Sequence, residues 1–146
     1  MVSHKEKAAQ LFIKGHNCSQ AVFAAYAEDC GLDLETALKI SSSFGGGFGR
    51  LREVCGCVSA MMLVTGSLKG YTSADKADKD RHYALVQSLA NEFKEKRGSI
   101  ICREILKTTD TSPVSAERTP DFYKKRPCLK CIESACEILD ERFFNE

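Results

Sequence analysis

The segment Arg52-Glu-Val-Cys-Gly-Cys-Val-Ser-Ala-Met-Met-Leu-Val-Thr-Gly-Ser-Leu68, wound as a helix, is apolar or small around nearly its whole circumference. Val54, Val58, Ala60, Met61, Met62 and Val64 leave no polar face, and a helix apolar all round belongs in the interior of a domain. Gly56, Ser59 and Ala60 allow neighbouring backbones to come close. The segment cannot span a bilayer: its apolar run, Val54 to Val64, has 11 residues and is interrupted by Gly56 and Ser59, where about 20 are required. A buried helix needs others around it, and the flanking sequence supplies them.

On the N-terminal side, Ser3 and Glu6 form an S-x-x-E capping box for a helix over Lys5 to Ile13, which Gly15 ends. Asn17 caps a second helix, Cys18 to Cys30, stopped by Gly31. Asp33 caps a third, Leu34 to Ser43. The glycine-rich loop Phe44-Gly-Gly-Gly-Phe-Gly49 leads into the central segment. On the C-terminal side, Ser73 to Lys96 carries Val86, Leu89 and Phe93 at helical spacing, with the alternating charges of Asp75 to Arg81 as a solvated face. A short helix, Ile100 to Leu106, follows Gly98 and Ser99. The last helix starts near Pro127, a residue favoured at the first helical position. Its Leu129, Ile132, Cys136, Leu139 and Phe143 form an apolar seam. Between them, residues 107–126 form a long polar loop holding two of the three prolines, of the kind used as a lid or binding loop. No segment alternates with period two. The expected fold is all-α: a single-domain bundle over residues 1–146, of about six to seven helices around a central apolar helix.

The chain has 146 residues, 43% hydrophobic and 28% charged, as in an ordinary globular domain. A net charge of +1 leaves no electrostatic footprint for nucleic acid or an anionic membrane. The N-terminus lacks the apolar core of a signal peptide, so a cytoplasmic, reducing location without membrane insertion is expected. Eight cysteines there signal metal or redox chemistry rather than a disulfide scaffold.

Cys18 follows the N-cap Asn17, Cys55 falls in the first turn of the central helix, Cys102 is three residues after the N-cap Ser99, and Cys128 follows Pro127. Four cysteines thus lie at four helix starts, where unpaired N–H groups and the positive end of the macrodipole favour a thiolate. Against this, a free cysteine is often only a small buried hydrophobe. Cys136 in the apolar seam and Cys30 at a helix C-terminus fit that reading. Cys57, about 200° around the helix from Cys55, faces away. Cys131 makes a C-x-x-C pair with Cys128 on one helix face, which suits a dithiol or two metal ligands. His16 reads as a surface loop residue, His82 as a core-edge residue, and His4 as part of a frayed terminus. The glycine loop joins two helices and lacks a following Lys-Ser/Thr, so it is neither a dinucleotide nor a P-loop site. Gly45, Gly46 and Gly47 instead allow positive φ and close backbone approach to the cysteines. No Ser–His–Asp set or carboxylate pair stands out. The absence of C-x-x-C-H excludes a covalent c-type haem.

The segments Asn17-Cys-Ser-Gln-Ala-Val-Phe, Ser43-Phe-Gly-Gly-Gly-Phe-Gly-Arg, Glu53-Val-Cys-Gly, Gly98-Ser-Ile-Ile-Cys-Arg-Glu-Ile-Leu and Arg126-Pro-Cys occur in this order. As an ordered set they resemble the C_GCAxxG_C_C family of redox-active proteins, over about residues 5 to 140. The sequence is also similar to the non-haem part of split-Soret cytochromes, for which an iron–sulfur centre has been suggested. The resemblance places the family's four characteristic cysteines on Cys18, Cys55, Cys102 and Cys128. It departs at Cys57, where the family has Ala, and at Ala60, where it has Gly; both substitutes are small. It implies a redox role and names no reaction.

Four chemistries follow. The first is an iron–sulfur cluster, most simply [2Fe–2S], with Cys18, Cys55, Cys102 and Cys128 as metal ligands and N–H groups of Gly45 to Gly47 hydrogen-bonding its sulfurs; aerobic purification would lose it or put zinc in its place. The second is metal-free thiol–disulfide exchange, with Cys128 attacking, Cys131 or a cysteine from another helix resolving, and Lys124, Lys125 and Arg126 favouring the thiolate. The third is a zinc site, and the fourth a helical interaction module with buried thiols. A redox partner protein of unspecified identity is implied, and analogy with the split-Soret proteins suggests a homodimer.

Overall fold

The computed structural model describes residues 2–120, 122 and 126–144. It is all-α. No strand occurs among the described residues, and the one extended pairing is an isolated antiparallel bridge between Val54 and Ile101. The elements are α1 (His4–Ile13), α2 (Cys18–Ala25), α3 (Leu34–Ser41), a 3-10 turn (Ser42–Phe44), a single distorted turn α4 (Gly45–Phe48), α5 (Gly56–Lys69), α6 (Lys76–Arg97), α7 (Cys102–Leu106) and α8 (Cys128–Leu139). A π-helical turn over Asp140–Phe144 closes the chain.

The caps follow the sequence. Ser3 Oγ accepts from the Glu6 N–H at 3.1 Å, and Asp33 from the Thr36 N–H at 2.7 Å. Asn17 and Gln20 make the reciprocal capping box of α2. Gly98, at φ +89°, ends α6. Helix α5 is central as expected, and it shares that place with α2, which packs on α1, α3, α5 and α8. Val22, Phe23, Met61, Val64, Leu89, Phe93, Ile132, Ile138 and Leu139 fill the core between them.

Several boundaries move. The second helix ends at Ala25 rather than at Cys30, because the chain breaks at Tyr26, whose ring and hydroxyl are drawn toward α8. The Tyr26 hydroxyl donates to the Asp140 carboxylate at 2.8 Å and approaches the Cys136 carbonyl at 3.1 Å. Burial first, and the neighbouring Asp140 and Cys136 with it, keep this phenol protonated far above its ordinary range. His4 is no frayed residue. Its Nε2 lies 2.7 Å from Asp29, its Nδ1 2.8 Å from Asp140, and its ring stacks 3.9 Å from that of Tyr26. Tyr26→Phe is expected to cost about 1–3 kcal/mol, since it leaves buried acceptors unpaired; the urea midpoint measures it.

The central helix begins at Gly56, four residues later than the apolar pattern suggests. Backbone pairing claims the residues before it: Cys55 N–H donates to Ile100 C=O at 2.7 Å, Cys102 N–H to Glu53 C=O at 2.6 Å, and Arg103 N–H to Arg52 C=O at 3.2 Å. Cys55 is therefore the N-cap of α5. Ile101, not Ser99, caps α7, which makes Cys102 its first residue. Pro127 stands at the N-cap of α8 rather than inside it.

Residues 108–119 have no regular structure. They form a strap fastened by arginines to backbone carbonyls. Arg50 bonds Ser112 and Val114, Arg52 Nε bonds Asp110 at 2.8 Å, and Arg118 reaches back to Phe12 at 2.7 Å and His16 at 2.9 Å. Among the described residues, no helix is long and apolar enough to cross a membrane.

Candidate functional site

The glycine turn brings the cysteines together. Gly46, Gly47 and Gly49 have φ of +67°, +72° and +57°, and Phe48, Arg50 and Arg52 share the left-handed region at +66°, +73° and +65°. Left-handed backbone is costly for residues with a Cβ, so this run is held by its bonds: Arg50, Arg52 and Glu53 N–H groups donate to Gly45, Gly46 and Gly47 carbonyls. A Cβ on Gly45 would meet Asn17 Cγ at 2.4 Å, and one on Gly47 would lie 2.6 Å from the Glu53 nitrogen. The turn thereby presses on the start of α2 from one side and on the Cys55–Cys102 pairing from the other.

Under it lies a cavity of about 260 Å³. Cys18, Cys55, Cys102 and Cys128, drawn from four helix starts, all line it, together with Cys57 and Cys131. Gly45 and Gly46 are in its wall; Gly47 lies just behind, where its Cβ would touch that of Cys102 at 2.9 Å. Arg50, Arg52, Arg118 and Arg126 complete the polar lining, and Phe12, Ile105, Leu106 and Phe122 the apolar one. The strap residues Pro113, Ser115 and Ala116 roof it. Cys136 lies in the core and Cys30 is half-buried, both outside the cavity. Of the cysteine partners expected on the last loop, Lys124 and Lys125 lie outside the described residues. Arg126 stands 5.0 Å over the Phe122 ring.

Cys57 does not face away. The 200° argument assumed that Cys55 lay inside the helix; with Cys55 at the N-cap, both sulfurs turn to the cavity. Cys57 donates to Cys18 and Cys55, which lifts its own thiol well above the ordinary range. Cys18 is lowered, chiefly by that Cys57 bond, with the Gly46 and Ser19 N–H groups also pointing at its sulfur; burial opposes them. Cys55 is lowered furthest, by Cys131 and then Cys57, with the N–H groups of Cys57 and Val58 behind. Cys131, as donor to Cys55 and buried besides, is raised. Two thiols lowered from the ordinary range thus alternate with two raised ones in the order Cys18, Cys57, Cys55, Cys131.

The expectation of a lowered thiol at all four helix starts holds for Cys18 and Cys55 only. Burial, then repulsion from the Cys18 and Cys55 thiolates, pushes Cys128 up to about 12. Burial also raises Cys102, against the pull of Arg52. Desolvation outweighs the helix end at both, and at Cys102 it also outweighs the long Arg52 Nη1 bond of 3.7 Å to the sulfur. Among the described residues, no three Cys, His, Asp or Glu side chains are gathered around one point as metal ligands.

Sequence reasoning missed Arg52 and Cys57. A charged residue in sequence reads as surface, yet Arg52 is only 2% exposed. Cys57 was misplaced by the early helix start; nothing local to Glu53 and Val54 shows that their backbone pairs with residues 101 and 102.

No curated protein and no solved structure matches the chain. A model of the family described as "Putative redox-active protein (C_GCAxxG_C_C)" matches residues 16–142, which include every cysteine of the cavity. With nearly its whole length so matched, the chain belongs to the C_GCAxxG_C_C family.

Proposed function

We propose that this chain is an electron-transfer protein whose Cys18, Cys55, Cys102 and Cys128 hold an iron–sulfur cluster, most simply [2Fe–2S]. The observation that carries the reading is that four cysteines from four separate helix starts line one cavity. The donor set is all sulfur, as such a group requires: Cys18 and Cys55 are lowered from the ordinary thiol range, Cys102 and Cys128 are raised by burial, and backbone N–H groups of Gly46 and Ser19 point at Cys18. When bound, the cluster supplies one-electron oxidation and reduction. The chain supplies the rest. Gly46, Ser19, Cys57 and Val58 N–H groups stabilise negative sulfur, the strap shields the cavity from water, and Cys57 and Cys131 keep protons next to the thiolates. An electron carrier requires donor and acceptor proteins, and clustered free thiols suit a reducing, cytoplasmic compartment.

Anaerobic purification, followed by ferrous iron and sulfide, is expected to give a brown protein with visible absorption and about two irons per chain. Aerobic protein is expected to be colourless, with thiols or zinc instead. A protein that stays colourless and iron-free under anaerobic loading would overturn the reading.

One observation favours a second reading. Cys55, lowered, lies beside Cys131, raised, the pairing of a nucleophile and its proton-holding neighbour. In thiol–disulfide exchange the Cys55 thiolate, not Cys128, would attack a substrate disulfide, forming one S–S bond and expelling one substrate thiolate. Cys131 or Cys57 would then displace the second substrate thiol, leaving an internal disulfide and a substrate reduced by two electrons. Mass spectrometry after incubation with a disulfide would find a bridge from Cys55 to Cys131 or Cys57; intact thiols would exclude it.

A further inference from the structure

Arg52 combines three unfavourable features in one residue. Its backbone is left-handed at φ +65°, where a residue with a Cβ is disfavoured. Its side chain is 98% buried, the counterpart of its 2% exposure, although burying a guanidinium is costly unless it is paired. Among the described residues no carboxylate lies within ion-pair distance of it. Its Nε donates to the Asp110 carbonyl at 2.8 Å, its Nη1 lies 3.7 Å from Cys102 Sγ, and its Nη2 has no hydrogen-bond partner among the described residues. The Asp110 carboxylate pairs with Arg50 at 3.6 Å and is exposed; it feels Arg52 only from beyond ion-pair distance. Arg52 is also held in place deliberately: its N–H donates to Gly46, and its carbonyl accepts from the Arg103 N–H and side chain. No described residue lining the cavity carries a carboxylate.

We propose that Arg52 is the anion-binding group of the cysteine cavity: its guanidinium, with Nη1 beside Cys102 and Nη2 unpaired among the described residues, receives negative charge borne by sulfur on whatever occupies that cavity. This deepens the reading above without depending on it, because the charge can come from the sulfides of a cluster or from an anionic substrate. Arg52 is a binding residue. It makes no bond in the chemistry; it fixes the charge that the cavity accepts. Arg52 therefore makes the bare cavity more favourable to anionic reagents than it would be without this guanidinium, and a loaded cluster easier to reduce, since reduction adds negative charge beside it.

Two arms test this on the full chain, with Arg52→Gln and Arg52→Lys compared to the parent. In the first, metal-free reduced protein is alkylated with iodoacetate and, separately, with iodoacetamide, two reagents of similar size that differ in charge. Cys102 modification is read by peptide mass spectrometry. The parent is expected to favour iodoacetate relative to a free thiol. Arg52→Gln is expected to lower the iodoacetate-to-iodoacetamide rate ratio by about fivefold or more, and Arg52→Lys to retain most of it, because the charge is what acts. An unchanged ratio in folded Arg52→Gln overturns the proposal. Loss of charge alone slows iodoacetate and leaves the iodoacetamide rate unchanged, whereas a loosened fold speeds iodoacetamide; a ratio that falls because iodoacetamide became faster counts against the proposal. In the second arm, the reduction potential of anaerobically loaded protein is expected to fall in Arg52→Gln and to recover in Arg52→Lys. A lowered alkylation ratio with an unmoved potential assigns the anion to a substrate rather than to the cluster. If the parent takes up no iron, the cluster reading fails while the first arm still decides Arg52.

Discussion

Cys55→Ser is expected to abolish the visible absorption gained on anaerobic loading with iron and sulfide. Cys136→Ser, changed at a buried thiol outside the cavity, should leave that absorption intact. Cys55 stands where the α5 start, the paired segment 53–55 and the α8 cysteine meet, and its sulfur is bonded by Cys131, Cys57 and two backbone N–H groups. A serine hydroxyl at that place stays protonated and cannot serve as an anionic sulfur ligand. Fold stability should change little, because Ser and Cys are close in volume and the N-cap position accepts either. Cys57→Ala separates the ligands from their neighbours. It removes the donor to Cys18 and Cys55 and installs the residue found in the family pattern, so loading should survive it. Retention of full absorption by Cys55→Ser, measured alongside iron content, would remove the cluster from this cavity.

Gly47→Ala is expected to destabilise the protein by about 3 kcal/mol or more, as measured by urea unfolding of the metal-free form. The alanine would be held at φ +72°, a cost of about 1–2 kcal/mol by itself. Its Cβ would also lie 2.6 Å from the Glu53 nitrogen and 2.9 Å from the Arg52 carbonyl carbon. Both are backbone atoms, and they belong to the pairing that places Cys102 beside Cys55, so neither can yield without moving the cavity; overpacking of this kind adds about 1–3 kcal/mol. Gly66→Ala is the opposing control. Gly66 lies within α5 with nothing within 4 Å of its would-be Cβ, and alanine there should stabilise by about 0.5–1 kcal/mol. Equal effects at the two glycines would contradict the role assigned to the turn.

The parts of the fold that local chemistry determines could be read from the sequence: the caps at Ser3, Asn17 and Asp33, the glycine stops, the seam from Leu129 to Phe143, and the all-helical class. What escaped that reading depends on contacts distant along the chain. Nothing near His4 announces two aspartates from other elements. Nothing near Glu53 shows that its carbonyl will accept from Cys102, which delayed the helix and reversed the side on which Cys57 was expected. For the candidate site, the gathering of Cys18, Cys55, Cys102 and Cys128 was legible because helix starts recur in the sequence as Asn17, Pro127 and the Gly98-Ser pair. The protonation of those thiols was not legible. It depends on which sulfur receives a donor and which is only desolvated, and that distinction exists only in three dimensions.

The bridge between Val54 and Ile101 has a consequence for biogenesis. It closes over the whole of α5 and α6, so it must form late, after a long stretch of polypeptide has been made and collapsed. Until then six thiols destined for one chamber are exposed on a nascent chain, free to oxidise into wrong bridges. Yields of active material from refolding or heterologous expression should therefore follow the supply of reductant during synthesis more closely than the thermodynamic robustness of the finished molecule.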